Sequence, residues 1–266
     1  MKTARFPSVL ASLLLVAGPP MLRGQTPDAS QAPGCDEVNA KLTSAQKTLL
    51  DWPNLARYRG ANSSVKQPDK KENRVVFMGD SITDAWVRPE YGGFFPGKPY
   101  FDRGISGQTT PQMLIRFRPD VIALQPKVVV ILAGTNDLAG NTGPMTVAQI
   151  EDNLTSMAEL AHANKIRVVL ASVLPVSNYG RDRAGQPVDM RIKRQPEKIL
   201  ELNAWIKKYA AEHHGTYLDY FAATVDEQGL FKKELSEDGL HPNAKGYAVM
   251  GPLAEAAIQA TLKKRP

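Results

Sequence analysis

Short apolar runs alternate with helically patterned stretches through most of this chain, and that alternation limits its fold more than any other feature. The runs are RVVFMG (74–79), YFDRGI (100–105), KVVVILAG (127–134), IRVVLASV (166–173) and GTYLDY (215–220). Two of them contain VVVIL and VVLASV, apolar on successive residues, as a strand must be when both of its faces are covered. The helices between them carry start signals. Thr110-Pro111 reads as an N-cap and N1 proline ahead of Leu114 and Phe117. Thr146 with Gln149 reads as a capping box ahead of Ile150, Leu154, Met157 and Ala161. Ile199, Leu202, Ile206 and Tyr209 line a further helix, and residues 253–262 a last one after Pro252. Strand–helix alternation of this kind predicts an α/β fold: three layers, α/β/α, around a five-stranded parallel sheet. In such sheets ligands sit beyond the carboxyl ends of the strands, so that is where chemistry is expected.

The first 24 residues follow another pattern. Lys2 and Arg5 precede an uncharged stretch, 6–22, that includes LASLLLVAG and is broken by Pro19 and Pro20. That is the pattern of a signal peptide over residues 1–24, too short and interrupted for a membrane span, and it predicts a secreted or periplasmic protein. No later segment is long and apolar enough to cross a bilayer. Residues 25–35, polar and Pro-rich, read as a linker. Residues 36–73 read as an N-terminal helical extension, with Val38, Leu42, Ala45 and Leu49 at helical spacing, and 74–266 as the main domain. Cutting after residue 24 removes Lys2, Arg5 and Arg23, so the formal charge falls from +6 to +3, too little to argue for a nucleic-acid partner. The basic residues gathered between Arg181 and Lys198, Arg194 among them, read as a solvated loop, or as a rim facing anionic substrate. The single cysteine, Cys35, excludes an intramolecular disulfide. The QAPG before it lacks the leucine of a lipidation signal.

Four polar clusters fall after the strands: GDSITD (79–84), GISGQTT (104–110), GTND (134–137) and DGLHP (238–242). Ser81 directly follows a buried strand and opens a helix, where the N-terminus favours developing negative charge. It needs a base. His213 and His214 end a helix before a glycine, and His162 lies in a helical stretch among solvent-type residues, so all three read as structural. His241 follows Asp238 by three residues, a spacing that lets the carboxylate reach the imidazole and fix its tautomer. Backbone N–H groups at Ser81 and Gly107 and the amide of Asn136 can serve an oxyanion. Asp80, beside Ser81 at a helix start, reads as a cap. The loops 88–98 and 177–195 are expected to shape the substrate pocket.

Taken together, GDS, ISG, GTND and DGLHP resemble the four blocks of the GDSL or SGNH esterase and lipase family, over residues 74–262. The context is similar to the platelet-activating-factor acetylhydrolase-like branch, which implies a flavodoxin-like sheet of order 2-1-3-4-5. The resemblance implies catalytic Ser81, Asp238 and His241, an oxyanion hole of Ser81, Gly107 and Asn136, and no cofactor or metal. One departure is Asp102, where relatives carry Asn. The expected reaction is hydrolysis of short-chain carboxylic esters, with acetylated carbohydrate as an attractive substrate. Three rivals share parts of this pattern. An α/β-hydrolase would have G-x-S-x-G, which Gly79-Asp80-Ser81-Ile82-Thr83 lacks. A metal-dependent phosphoesterase would use the acids of GDSITD and GTND as ligands but needs more placed histidines. A catalytically inactive carbohydrate-binding relative would have lost one of the five site residues.

Overall fold

The computed structural model describes residues 34–182 and 184–264; the expected signal peptide and nearly all of the linker lie outside the described residues. The chain divides into two compact units, Met1–Ala45 and Gln46–Pro266, and the whole sheet belongs to the second. Helix α1 (Cys35–Leu50) starts one residue ahead of the expected extension, and its stripe residues Val38, Leu42 and Leu49 stand exposed. A short helix α2 (Arg59–Ser63) precedes the first strand.

The core then runs β1 (Val75–Gly79), α3 (Ser81–Asp84), β2 (Tyr100–Gly104), α4 (Thr110–Asp120), β3 (Val128–Leu132), α5 (Thr135–Leu138), α6 (Val147–Ala163) and β4 (Arg167–Ala171). A small antiparallel hairpin, β5 (Gly180–Arg181) with β6 (Pro187–Val188), leads to α7 (Pro196–Glu212), β7 (Thr216–Leu218), α8 (Tyr220–Thr224) and α9 (Ala244–Lys263). The main sheet is parallel with order β2-β1-β3-β4-β7, the expected order once the hairpin is set aside.

Alternation along the strands divides the core in two. Val76, Met78, Val129, Ile131, Val168 and Leu170 face α4, α6 and α7, meeting Phe117, Ile150, Leu154, Ile199 and Leu202. Val75, Phe77, Val128, Val130 and Val169 face the opposite layer, meeting Trp86 and, from α9, Tyr247, Met250 and Ile258. Each fully buried side chain of this size contributes roughly 1.5–3 kcal/mol. Both faces are covered, which is why VVVIL carries no polar alternation.

Two helix starts differ from expectation. Thr109, not Thr110, caps α4, and Gln112 completes a capping box with it. Helix α9 begins at Ala244, where the Asn243 carboxamide accepts from the N–H groups of Lys245 and Gly246, and Pro252 lies inside it. An internal proline costs roughly 3 kcal/mol. The apolar face that α9 buries on either side of Pro252 outweighs that cost, so proline did not mark the start.

A strap of chain, residues 51–64, wraps the β2 edge beside the strand ends. Asp51 accepts from the backbone N–H of Leu55 at 2.7 Å and Ala56 at 2.8 Å, closing a turn. Asn62 bonds Asp120 at 2.7 Å and receives Arg103 at 2.9 Å, and the Tyr58 hydroxyl donates to the Gly104 carbonyl. Loop 88–98 packs Phe94 and Phe95 against Phe77, and Tyr91 against Tyr247 of α9. Its cavity, about 350 Å³, is lined by Trp86, Tyr91, Phe95 and Tyr247 and by none of the expected site residues. The aromatic side chains around it pack against one another.

Candidate active site

Each polar cluster sits at a carboxyl end of the sheet, and each is held there by a different device. After β1 the chain turns sharply into α3. The Asp80 carboxylate caps that helix, its Oδ1 accepting from Ile82 N–H at 2.9 Å. Asp80 is fully buried, and burial pushes its carboxyl up to about 6 against the cap bond and the attraction of His241, which pull it down. The cap leaves Ser81 as the first helical residue. The Tyr247 hydroxyl, donating to the Ile82 carbonyl at 2.7 Å, ties this turn to α9.

His241 lies on the loop ahead of α9. Asp238 Oδ1 accepts from the backbone N–H of Leu240 at 2.9 Å and of His241 at 2.8 Å, so the loop folds around its own carboxylate. Asp238 Oδ2 is 2.6 Å from His241 Nδ1, and His241 Nε2 is 2.9 Å from Ser81 Oγ. A carboxylate on Nδ1 requires a proton there, which leaves Nε2 to accept from the Ser81 hydroxyl. Partial burial raises the Asp238 carboxyl, but the bonds from the His241 ring, its N–H and that of Leu240 outweigh this and hold it down at about 2. Asp238 is therefore an anion at neutral pH. The histidine and its acid are each rather more than one-third exposed.

The opposite side is built differently. Gly107 has φ +81°, in the left-handed region, and a Cβ there would meet only the Asn141 amide, at 4.0 Å. Among the described residues neither the Gly107 nor the Ser81 backbone N–H has a partner within the protein. Asn136, buried in the turn after β3, donates one Nδ2–H to the Gln108 carbonyl at 3.0 Å, and its Oδ1 receives Arg194 Nη2 at 3.4 Å. Rotating that amide by 180° would set oxygen against oxygen and NH₂ against guanidinium, so its orientation is chemically defined. The second Nδ2–H is left available.

Sequence reasoning singled out Ser81, Gly107, Asn136, Asp238 and His241. The structure joins Ser81, His241 and Asp238 in one hydrogen-bonded chain, and sets Gly107 and Asn136 on either side of Gln108. It also reveals three supporting side chains whose role the sequence did not indicate, Arg194 among them, which the sequence placed in a solvated loop or rim. Arg194 is 8 % exposed, bonds Thr135 at 3.1 Å as well as Asn136, and forms no salt bridge among the described residues. Arg116 is fully buried and spans the Gln108 side chain, the Arg103 carbonyl at 2.8 Å, the Gly79 carbonyl at 2.9 Å and Asp120 at 3.1 Å. Gln108 meanwhile reaches the Pro53 carbonyl of the strap at 2.7 Å. No local signal distinguishes an arginine of this kind from one on a solvated face.

The acids that a metal reading would enlist have other partners. Asp80 caps α3, Asp84 receives Ser106 N–H at 3.2 Å and the Ser106 hydroxyl, and Asp137 Oδ1 receives Thr110 N–H at 2.8 Å. Burial raises the Asp137 carboxyl against the two Thr110 bonds that lower it. Among the described residues no cluster of three or more His, Cys, Asp or Glu side chains is placed to hold a metal ion.

A hydroxyl, an imidazole and a carboxylate in series at the strand ends of a doubly wound sheet are the parts of a serine hydrolase. A family model for the GDSL-like lipase/acylhydrolase family matches residues 77–249, and the chain belongs to that family. The fold is similar to a GDSL-like lipase from Bacteroides thetaiotaomicron, with 44 % identity over 78 % of this chain and 98 % of that one, TM-score 0.71. It is likewise similar to a candidate acylhydrolase from Bacteroides fragilis, with 43 % identity over 80 % of this chain and 99 % of that one, TM-score 0.73. An uncharacterised lipoprotein of Bacillus subtilis is 36 % identical over 76 residues, 27 % of this chain, and the match spans about a third of that relative's length (31 %).

Proposed function

We propose that this protein is an exported esterase that removes short acyl groups from alcohols through Ser81, His241 and Asp238. The observation that carries the reading is the unbroken chain from Ser81 Oγ to His241 Nε2 at 2.9 Å and from His241 Nδ1 to Asp238 at 2.6 Å. Ser81 Oγ attacks the ester carbonyl while its proton passes to His241 Nε2, and anionic Asp238 stabilises the imidazolium. The carbonyl oxygen becomes an oxyanion that accepts from Ser81 N–H, Gly107 N–H and the free Nδ2–H of Asn136. Collapse breaks the bond to the alcohol oxygen, which takes the proton from His241 and leaves. Water then gives a proton to His241 as it attacks acyl-Ser81, and a second collapse releases the carboxylic acid and restores the serine. No cofactor enters these steps.

The short-acyl part of the reading is supported by the absence of a long apolar lid segment in the sequence. Export is supported by the pattern of residues 1–24. Acetylated carbohydrate suits an exported enzyme with polar surroundings at the site. The test is direct. Ser81→Ala should lower kcat on a short-chain ester by roughly 10⁶-fold with the melting temperature retained. A serine-directed phosphonate should label the wild type at Ser81 alone, read by peptide mass mapping. Labelling of a different serine would overturn the assignment.

A further inference from the structure

A second cleft opens beside Gly107, on the side formed by the strap. It has a volume of about 500 Å³, and its lining includes Asp51, Trp52 and Asn54 from the strap and Gly107 and Asn141 from the loops after β2 and β3. Small-molecule sites commonly occupy roughly 300–1,000 Å³. The strap wall is held in place. Gln112 Nε2 donates to the Trp52 carbonyl and Gln108 Nε2 to the Pro53 carbonyl, both at 2.7 Å. Gln108 is the residue after Gly107, and its own carbonyl holds Asn136. One residue thus fastens the cleft wall through its side chain and the oxyanion side of the site through its backbone carbonyl.

The chemistry presented there is specific. Trp52 offers a half-buried indole whose N–H has no partner among the described residues. Asn54 adds an exposed carboxamide, also without a partner among them, at a left-handed φ of 55°. Asn141 donates to the Gly107 carbonyl at 3.1 Å and keeps its Oδ1 uncommitted. An acyl chain in such a cleft would strip water from these amides and return nothing. A pyranose ring fits both aspects, setting its C–H face against the indole and its hydroxyls toward the amides.

We propose that this cleft is a sugar-binding subsite that holds the alcohol side of the ester, so that the substrate is an acetylated oligosaccharide. The proposal rests on the esterase reading and extends it to the leaving group. Trp52 and Asn54 precede the stretch matched by the family model, which begins at residue 77. The geometry makes the strap a specificity element and leaves the chemical step to the strand-end loops.

The experiment compares two substrates, an acetylated xylo-oligosaccharide and p-nitrophenyl acetate, and adds a binding measurement that needs no turnover. Trp52→Ala should lower the ratio of kcat/KM for the sugar ester over that for the aryl ester by roughly ten-fold, with Trp52→Phe restoring much of it. Asn54→Gly, which keeps the left-handed backbone, should lower the same ratio by a smaller factor. Calorimetric titration of the deacetylated oligosaccharide into Ser81→Ala should give saturable binding that Trp52→Ala removes. An unchanged ratio in both Trp52→Ala and Asn54→Gly, or absence of oligosaccharide binding to Ser81→Ala, overturns the proposal. Failure of the esterase reading looks different: the wild type then hydrolyses neither ester, and phosphonate does not label Ser81.

Discussion

The two sides of the site differ in how they are held. Ser81, His241 and Asp238 form a line along the surface, the last two rather more than one-third exposed, and their order comes from a loop that folds about its own carboxylate. On the oxyanion side, Asn136, Gln108, Arg194 and Arg116 are nearly all buried, and partners far apart in sequence fix their places. The difference matches what the proposed mechanism asks of each side. A proton carrier must turn slightly between serine, leaving group and water, and partial exposure permits that. A donor set for an oxyanion works best when it cannot reorganise, because its dipoles must already point where charge develops.

The largest effect expected on the buried side is at Asn136. Asn136→Ala should lower kcat by roughly 10²–10³ with KM little changed, since its free N–H matters chiefly in the transition state. If Asn136 were only a turn residue, the variant would melt lower and keep its kcat. Measuring both on the purified protein separates these outcomes, and a stable, fully active variant would remove the buried side from catalysis.

Arg194 gives a smaller effect of the same kind. Among the described residues its hydrogen bonds go to Thr135, Met190 and the far end of the Asn136 amide, so under the proposed mechanism it would act by positioning. Arg194→Met should lower kcat roughly ten-fold at constant KM, in line with the 1.5–3 kcal/mol of a charged hydrogen bond. Arg194→Lys keeps the charge without the planar fork and should recover only part. In the Asn136→Ala background the Arg194→Met loss should vanish. A full, additive loss there would show that Arg194 acts elsewhere.

The contrast between the sides also explains what could be read in the chain. The exposed line was legible because its geometry is local: Asp238 and His241 are three residues apart, and Ser81 follows a strand marked by unbroken apolar residues. The sheet was legible for the same reason, since VVVIL and VVLASV can hardly be anything but doubly covered strands. Arg116 and Arg194 were not, because a buried arginine is defined by the carbonyls it meets across the fold. Gly79, Arg103 and Gln108 meet on Arg116 only after folding. The strap was illegible in the same way. Trp52 and Pro53 are fastened through their backbone carbonyls, which every sequence possesses.

The smallest expected effect tests whether buried charge is tolerated beyond the oxyanion side. Asp102 is largely buried at the β2 edge; its Oδ1 accepts from Gly104 N–H at 2.8 Å and its Oδ2 has no partner among the described residues. Burial pushes this carboxyl up to about 7 from 3.8, outweighing the Gly104 bond. Between those values the unfolded chain has lost its proton while the folded one keeps it. The folded state then binds more protons, so stability falls as pH rises through this window. Asp102→Asn has no proton to lose and resembles the neutral form. Its melting temperature relative to the wild type should therefore climb from about pH 4 to about pH 7 and level off above, by a few degrees. Asp80, pushed up to about 6, contributes a similar slope to both proteins and cancels in the difference. Parallel melting curves across this range would mean that Asp102 reaches water in solution, and that the strap does not seal the β2 edge.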